Sequence, residues 1–455
     1  MISIDHSDLS NQSRASVFRA GDPCENGYRS LGSCFITRLQ SKWFPSISYH
    51  STMPSSKNAI LAKHDDDVVI VSAIRSAITK GKKGGFKDTF PEEILSHVLK
   101  HAYKSVNLDP KLVEDIAVGN VLPAGGGASA ARMAALHAGL PNTSSVYTVN
   151  RQCSSGLTAI SQIANQINAG MIDIGIGAGV ESMTNGYGAS AMGNGFSEAV
   201  LGTQEAADCL IPMGITSENV AADYNISREA QDAFAAESFQ KAAKAQKEGR
   251  FKDEILPIEV KWTDPKTEEE KTIVVDRDDG VREGVTKESL GKLKPAFSKT
   301  GSTHAGNASQ VSDGAAAVLL ARRSVAKKLG LPIVGKYVAA VSVGVPPRIM
   351  GVGPAYAIPK VLEKTGLSDS DIDFYEINEA FASQALFSIN HLKIDLKKVN
   401  RHGGAIAIGH PLGCTGARQV ATGLNISKQY GDKIFVTSMC IGSGMGMAAV
   451  FVSEQ

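Results

Sequence analysis

Two cysteines, a histidine and an asparagine stand where such side chains can do chemistry. Cys153 follows a short β-type run (Val146, Tyr147, Val149) and precedes Leu157, Ile160, Ile163 and Ile167, which recur at helical spacing until Gly170. A thiol at a strand-to-helix junction meets unpaired backbone N–H groups and the positive end of a helix dipole, and both favour a thiolate. Asn378 opens the stretch NEAFA where a strand meets a helix, His410 lies between Gly409 and Pro411, and Cys440 ends a strand in MCIGSGMG. A further loop is Gly306-Asn307-Ala308-Ser309. A nucleophilic thiol, a base for it, a second acid/base and amide donors make a kit for acyl transfer through a thioester. Each residue also has a plainer reading, as a buried structural cysteine or a satisfied loop histidine. The Gly-x-Gly-x-Gly run after Cys440 resembles a dinucleotide loop, but Ala448 to Val452 read as a strand and no helix opens there.

The elements that must position these groups alternate along the chain. Asp67 to Val71 is a continuous apolar run of buried-strand type, and Pro91 to Ser105 carries Ile94, Leu95, Val98, Leu99 and Ala102 at helical spacing. A strand (116–121), a small-residue helix (128–138), the cysteine strand and helix, and another strand (172–178) follow. Strands separated by helices imply a parallel sheet covered on both faces. From about 181 to 293 the composition shifts to Ala-rich and charged segments, among them a helix from Ser227 to Gly249, which reads as an insertion on the sheet scaffold. Its charge run reads as solvated surface. The alternation resumes after Pro295, closes a first half at 314–321, and begins again with a strand at 333–343. Val-Asn-Arg occurs at 149–151 and again at 399–401, each time ahead of a Gly-rich loop and a helix, which suggests two similar halves. In open α/β sheets functional groups gather at the carboxyl ends of strands, so these loops are placed to converge on Cys153.

Composition narrows the function classes. The 455 residues carry a formal net charge of +1, which points away from nucleic acid and makes any anion site a local patch. No apolar run approaches the roughly 20 residues of a membrane helix. Six cysteines are scattered without C-x-x-C or metal-ligand spacing, which argues for free thiols in a reducing compartment and for no metal. Residues 1–65 are Ser-rich without apolar periodicity and read as a disordered extension. From Asn26 to His64 its charged residues are all basic, which fits either an organellar address or a solvated tail.

VNRQCSSGL, ESMT from Glu181, MGITSENVA from Met213, KLKPAF before AGNASQVSDGAA, RIMGVGPAYAIP, EINEAFASQ, GGAIAIGHPLGCTGAR and SMCIGSGMG together resemble the thiolases, most of all the degradative, peroxisomal type of 3-ketoacyl-CoA thiolase. The resemblance runs from about Asp67 to Val452. It implies a five-layered αβαβα fold of two related halves (66–325 and 331–453), with a loop domain at about 184–295, and at least a homodimer. It implies Cys153 as the nucleophile that becomes acylated and His410 as its base. His410, with a water held by Asn378, would stabilise the acetyl-CoA enolate. Cys440 would protonate that enolate and then deprotonate CoA, and the N–H groups of Cys153 and Gly442 would form the oxyanion hole. CoA, a co-substrate rather than a resident cofactor, would contact Met213, Arg282, Ser289 and Ser309.

Three features depart from the family pattern. His304 stands where a small polar residue is usual, and Arg401-His402 precede the glycines of the histidine loop, both expected near the CoA and catalytic loops. The peroxisomal address R-L-x5-H-L begins at Arg38-Leu39 but meets Pro45 at the histidine position, and the chain ends Ser-Glu-Gln. Peroxisome, with its import receptor as a partner, is the expected compartment; mitochondrion is the alternative. The leading activity is thiolytic cleavage of 3-ketoacyl-CoA in fatty-acid β-oxidation. Its rivals are acetoacetyl-CoA condensation and an inactive lipid-binding relative.

Overall fold

The computed structural model describes residues 56–188 and 195–455. Residues 1–55 of the expected extension lie outside the described residues. Its last ten do not behave as an extension: Lys57–Leu61 is a helix capped by the Ser56 side chain, Ile60 is fully buried, and Lys63 pairs with Glu454 at 3.0 Å. The short run Ala59 to Ala62 is too brief to show a period, and only packing against the body reveals the role of Ile60.

The first half runs β1 (Val68–Ser76), α1 (Pro91–Lys104), β2 (Asp115–Gly119), α2 (Ala128–His137), β3 (Ser145–Val149), α3 (Ser155–Asn168) and β4 (Ile174–Ser182). An excursion with α4 (Met213–Asp223), α5 (Arg228–Lys247) and the hairpin Ile258–Thr263/Glu270–Val275 precedes β5 (Ser312–Arg322). The second half runs β6 (Gly335–Gly344), α6 (Gly353–Thr365), β7 (Phe374–Ile377), α7 (Ala382–Leu392), α8 (Leu412–Tyr430), β8 (Ile434–Ile441) and β9 (Met445–Ser453). Local chemistry explains the starts and stops. Pro91 opens α1 with Glu92 and Glu93 in its first turn, and Gly366 and Gly431 end α6 and α8 in the left-handed conformation.

The strands order as β3-β2-β4-β5-β1 and β7-β8-β9-β6, and the two sets join through β1 and β6. Val399 bridges Tyr375 on the open side of β7, as β3 flanks β2, so the repeated Val-Asn-Arg occupies equivalent places in two halves of the same order. The sheets are mixed rather than parallel throughout. β8 and β9 are joined by only three residues, 442–444, too few for a crossover, so they pair antiparallel. α1 and α2 cover one outer face and α6 the other, while α3 and α8 lie between the sheets, giving five layers. β4 is buried along its whole length, which is why it reads as a small and apolar run from Ile174 to Val180, before Glu181. Among the described residues no helix is long and apolar enough to cross a membrane.

The middle layer is where the site is set. α8 starts in backbone-to-backbone contact with α3 and β4: an ideal Cβ on Gly156 would lie 2.7 Å from the Gly413 oxygen, and one on Gly179 2.0 Å from it. Cys153 at the start of α3 and His410 just ahead of α8 are thereby carried by two helices that cross without side chains between them.

Candidate active site

Cys153 occupies a tight turn between β3 and α3. Gln152 before it has φ +48°, an uncommon conformation for a residue with a side chain. The turn closes on itself, since the Ser155 hydroxyl accepts from the Arg151 N–H at 2.8 Å and donates to the Gln152 carbonyl at 2.7 Å. The sulfur is nearly buried, and the backbone N–H groups of Gly442 and of Cys153 itself lie at it. Burial pushes the thiol up to about 11; the two N–H groups offset this in part, and the Glu181 charge adds to it. The thiolate preference expected at a helix start is therefore not what the fold produces. Removal of the sulfur from water outweighs the dipole, and the resting group is a thiol.

His410, 4% exposed, is oriented by Thr415. The Thr415 hydroxyl donates to the Pro411 carbonyl at 2.9 Å, so at 2.6 Å it accepts the proton of His410 Nδ1. Nε2 is left as the acceptor, and the Asn378 amide nitrogen lies 3.3 Å from it. Burial first, and then the Arg418 charge, push the imidazole down to about 3, so it rests neutral and available as a base. The Asn378 carbonyl oxygen is buried without a partner among the described residues.

Cys440 is fully buried beside Met350 and Ala380, with Met213 and Phe381 against them. Its thiol donates to the Gln384 carbonyl oxygen at 2.9 Å, and the Gln384 nitrogen donates to the Asn378 backbone carbonyl at 3.3 Å. Burial, then the neighbouring Cys153 sulfur, hold Cys440 well above its ordinary range. Thus Cys153, Gly442, Cys440, Asn378 and His410, spread over nearly 300 positions of sequence, are joined by contacts of a few ångströms or by direct electrostatic influence.

The four expected CoA contacts divide. Met213 packs at the Cys440 cluster, and the Ser309 N–H donates to the Ala380 carbonyl at 2.9 Å, which places both at the catalytic end. Arg282 and Ser289 are exposed beside α5. The Arg282 guanidinium lies 4.5 Å over the Phe239 ring, and the Ser289 hydroxyl caps a short helix with Thr286 at 2.8–3.0 Å. A ligand contact at Ser289 has to compete with that cap.

The departures from the family pattern prove structural. His304 is buried, with Nε2 2.7 Å from Asp232 and Nδ1 accepting the Gly306 N–H, and it braces the loop that leads to Ser309. Arg401 pairs with Asp432 and lies over Phe374 and Tyr430, and His402 packs edge-on against Phe251. These two side chains point to the far end of α8, not to the catalytic loops as expected. Sequence reasoning missed Thr415, Gln384 and Glu379. Glu379 is buried and accepts from Ser238, Asn400 and the Ile406 N–H, tying the NEAFA loop to the histidine loop. The only signal was that each lies inside a stretch already singled out for another residue.

Residues 68–324 match the family model of the thiolase N-terminal domain, and residues 331–453 that of the thiolase C-terminal domain. The chain belongs to the thiolase family. Among its relatives, the peroxisomal 3-ketoacyl-CoA thiolase of Yarrowia lipolytica is 60% identical over 397 residues, which is 87% of this chain and 95% of that protein. The dimeric peroxisomal thiolase of Saccharomyces cerevisiae superposes with a TM-score of 0.81 at 55% identity, covering 87% of this chain and all of that one. A second structure of peroxisomal 3-ketoacyl-CoA thiolase from that yeast, described as five-layered A-B-A-B-A with two core domains of identical topology, gives 0.71 at 50% identity over the same shares. The thiolase layering agrees with the five layers described above.

Proposed function

We propose that this chain is a 3-ketoacyl-CoA thiolase, which uses CoA as co-substrate to cleave 3-ketoacyl-CoA into acetyl-CoA and a shortened acyl-CoA in fatty-acid β-oxidation. The observation that carries this reading is a pair of neighbouring thiols linked through Gln384 to Asn378, whose carboxamide lies 3.3 Å from the unprotonated Nε2 of a neutral imidazole. In the first half-reaction Cys153 gives its proton to His410 Nε2 as its sulfur attacks the 3-keto carbon. The resulting alkoxide is met by the Cys153 and Gly442 N–H groups. The C2–C3 bond then breaks, leaving the acyl group on Cys153 and an enolate whose oxygen faces His410 and Asn378. Cys440 transfers its proton to C2, releasing acetyl-CoA. In the second half-reaction the Cys440 thiolate takes the proton of CoA, the CoA sulfur attacks the acyl-cysteine, and the departing Cys153 sulfur regains its proton from the His410 imidazolium. Expelling a carbanion needs positioned donors, each worth roughly two to three orders of magnitude in rate. Two thiols suit the task because one stays acylated while the other moves protons.

The names of the relatives support fatty-acid degradation, a peroxisomal location and a homodimer for this chain, and the family boundaries support a division into halves at 66–325 and 331–453; a loop domain at about 184–295 is proposed with it. Met213, Ser309, Arg282 and Ser289 are proposed to line the CoA path from the catalytic end outward. The test compares turnover of 3-ketohexadecanoyl-CoA with that of acetoacetyl-CoA in the wild type and in Cys153→Ala. Loss of both activities and of a trapped acyl adduct at residue 153 is expected in the variant. Thiolysis persisting without Cys153 would end the catalytic assignment, and wild-type activity confined to the four-carbon substrate would favour acetoacetyl-CoA chemistry.

A further inference from the structure

A carboxylate that this reaction does not use lies at the joint between the two catalytic loops. Glu181, in β4, is 1% exposed and is held by backbone N–H groups: Val121 at 3.1 Å, Leu122 at 3.2 Å and Gly413 at 3.0 Å. Gly413 is in the first turn of α8, three residues beyond His410. On the other side the contacts run on to the nucleophile. The Val121 carbonyl accepts from the Asn150 side-chain nitrogen at 3.1 Å, and the Asn150 oxygen accepts at 3.0 Å from the N–H of Gln152, the left-handed residue before Cys153. One carboxylate thus grips the helix that carries the base and, through one peptide and one amide, the strained turn that carries the nucleophile.

We propose that Glu181 is a positioning residue that holds the Cys153 turn and the His410 helix in mutual register, a role that rests on the assignments of Cys153 and His410 made above. The two oxygens of a carboxylate can satisfy three N–H donors converging from two segments, which no amide or apolar side chain of that size does fully. The arrangement carries a cost. The Glu181 charge acts on the Cys153 and Cys414 sulfurs, and burial, with the charge of Asp313 of β5, pushes its carboxyl up to about 7 against the pull of the three N–H groups. When ionised it opposes the Cys153 thiolate. A residue that makes the nucleophile harder to ionise, yet sits between nucleophile and base, is better explained by geometry than by activation.

These two effects have opposite signs, so one variant separates them. In Glu181→Gln the charge disappears, and the amide nitrogen confronts at least one of the three N–H donors. The kcat for 3-ketoacyl-CoA thiolysis is expected to fall about tenfold or more, as sub-ångström drift of reacting groups does. The rate of Cys153 alkylation by iodoacetamide at pH 8, mapped by mass spectrometry, is expected to rise about threefold, because the charge that opposes the thiolate is gone. Glu181→Asp keeps the charge but is one methylene short: its kcat is expected to fall without any rise in alkylation, and it serves if the glutamine variant does not fold. A more reactive thiol in Glu181→Gln but not in Glu181→Asp, with both enzymes slowed, is the signature, because general loosening of the fold would expose the buried Cys153 sulfur in both variants. Unchanged kcat, or alkylation that stays level or falls with kcat in Glu181→Gln, overturns the proposal. Cys153→Ala run alongside distinguishes the failures, since activity there would mean that the parent assignment, and not the role of Glu181, is wrong.

Discussion

Gly179→Ala tests whether the backbone crossing beneath the site sets its geometry. Gly179 lies in β4, the strand after the Cys153 helix, and an added Cβ would sit 2.0 Å from the Gly413 oxygen and 2.9 Å from its carbonyl carbon. Real Cβ contacts essentially never fall below 3.0 Å, so the start of α8 has to retreat by at least 1 Å, the difference between 3.0 and 2.0. That movement carries the His410 loop with it and breaks the 3.0 Å bond from Gly413 to Glu181. Misplacement of a catalytic group by about 1 Å costs roughly 100-fold in rate, whereas overpacking of a well-packed interior costs about 1–3 kcal/mol. The variant should therefore fold with a lowered Tm and lose about two orders of magnitude in kcat for 3-ketoacyl-CoA thiolysis. Gly344→Ala, whose Cβ would meet nothing within 4 Å, is the matched control and should resemble wild type in both measurements. Wild-type kcat and Tm in Gly179→Ala would show that α8 is free to adjust, and would refute the claim that the glycine crossing places the base.

The remaining predictions concern stability. His402 is buried with neither ring nitrogen partnered among the described residues, and burial pushes it down to about 4. The unfolded chain therefore binds a proton between about pH 6.5 and 4 that the fold refuses, and this residue subtracts stability as pH falls through that window, by about 3 kcal/mol at most. His402→Phe, which keeps the aromatic contact with Phe251, should lose less stability than wild type between pH 7 and 5 in urea titrations; an identical acid loss would refute this. Arg75 is fully buried between Glu254 at 2.6 Å and Asp278 at 2.7 and 2.9 Å. Arg75→Met strands two buried carboxylates and should cost about 3–5 kcal/mol at pH 7, read by urea unfolding; a loss below about 1 kcal/mol would refute this.

Much of the site was legible before any fold was known. The helical period after Cys153, the glycines around His410 and the strand-end position of Cys440 are local facts, set by propensity and spacing within a few residues. The inserted segment followed from the shift in composition, and the five layers from the family likeness. What the sequence could not express was which backbone groups face which atoms once distant segments pack. Whether Cys153 rests as thiol or thiolate depends on how completely it is removed from water and on donors that offset this, among them the Gly442 N–H some 290 positions away. Likewise Glu181 sits in a stretch that sequence reading singled out, yet its role appears only when β4 lies under α8 and three N–H groups converge on it. Residue types name the chemistry a chain is capable of, because reactivity belongs to the side chain. Burial, hydrogen-bond partners and ångström-scale register belong to the pairing of segments, and those are decided by tertiary packing alone.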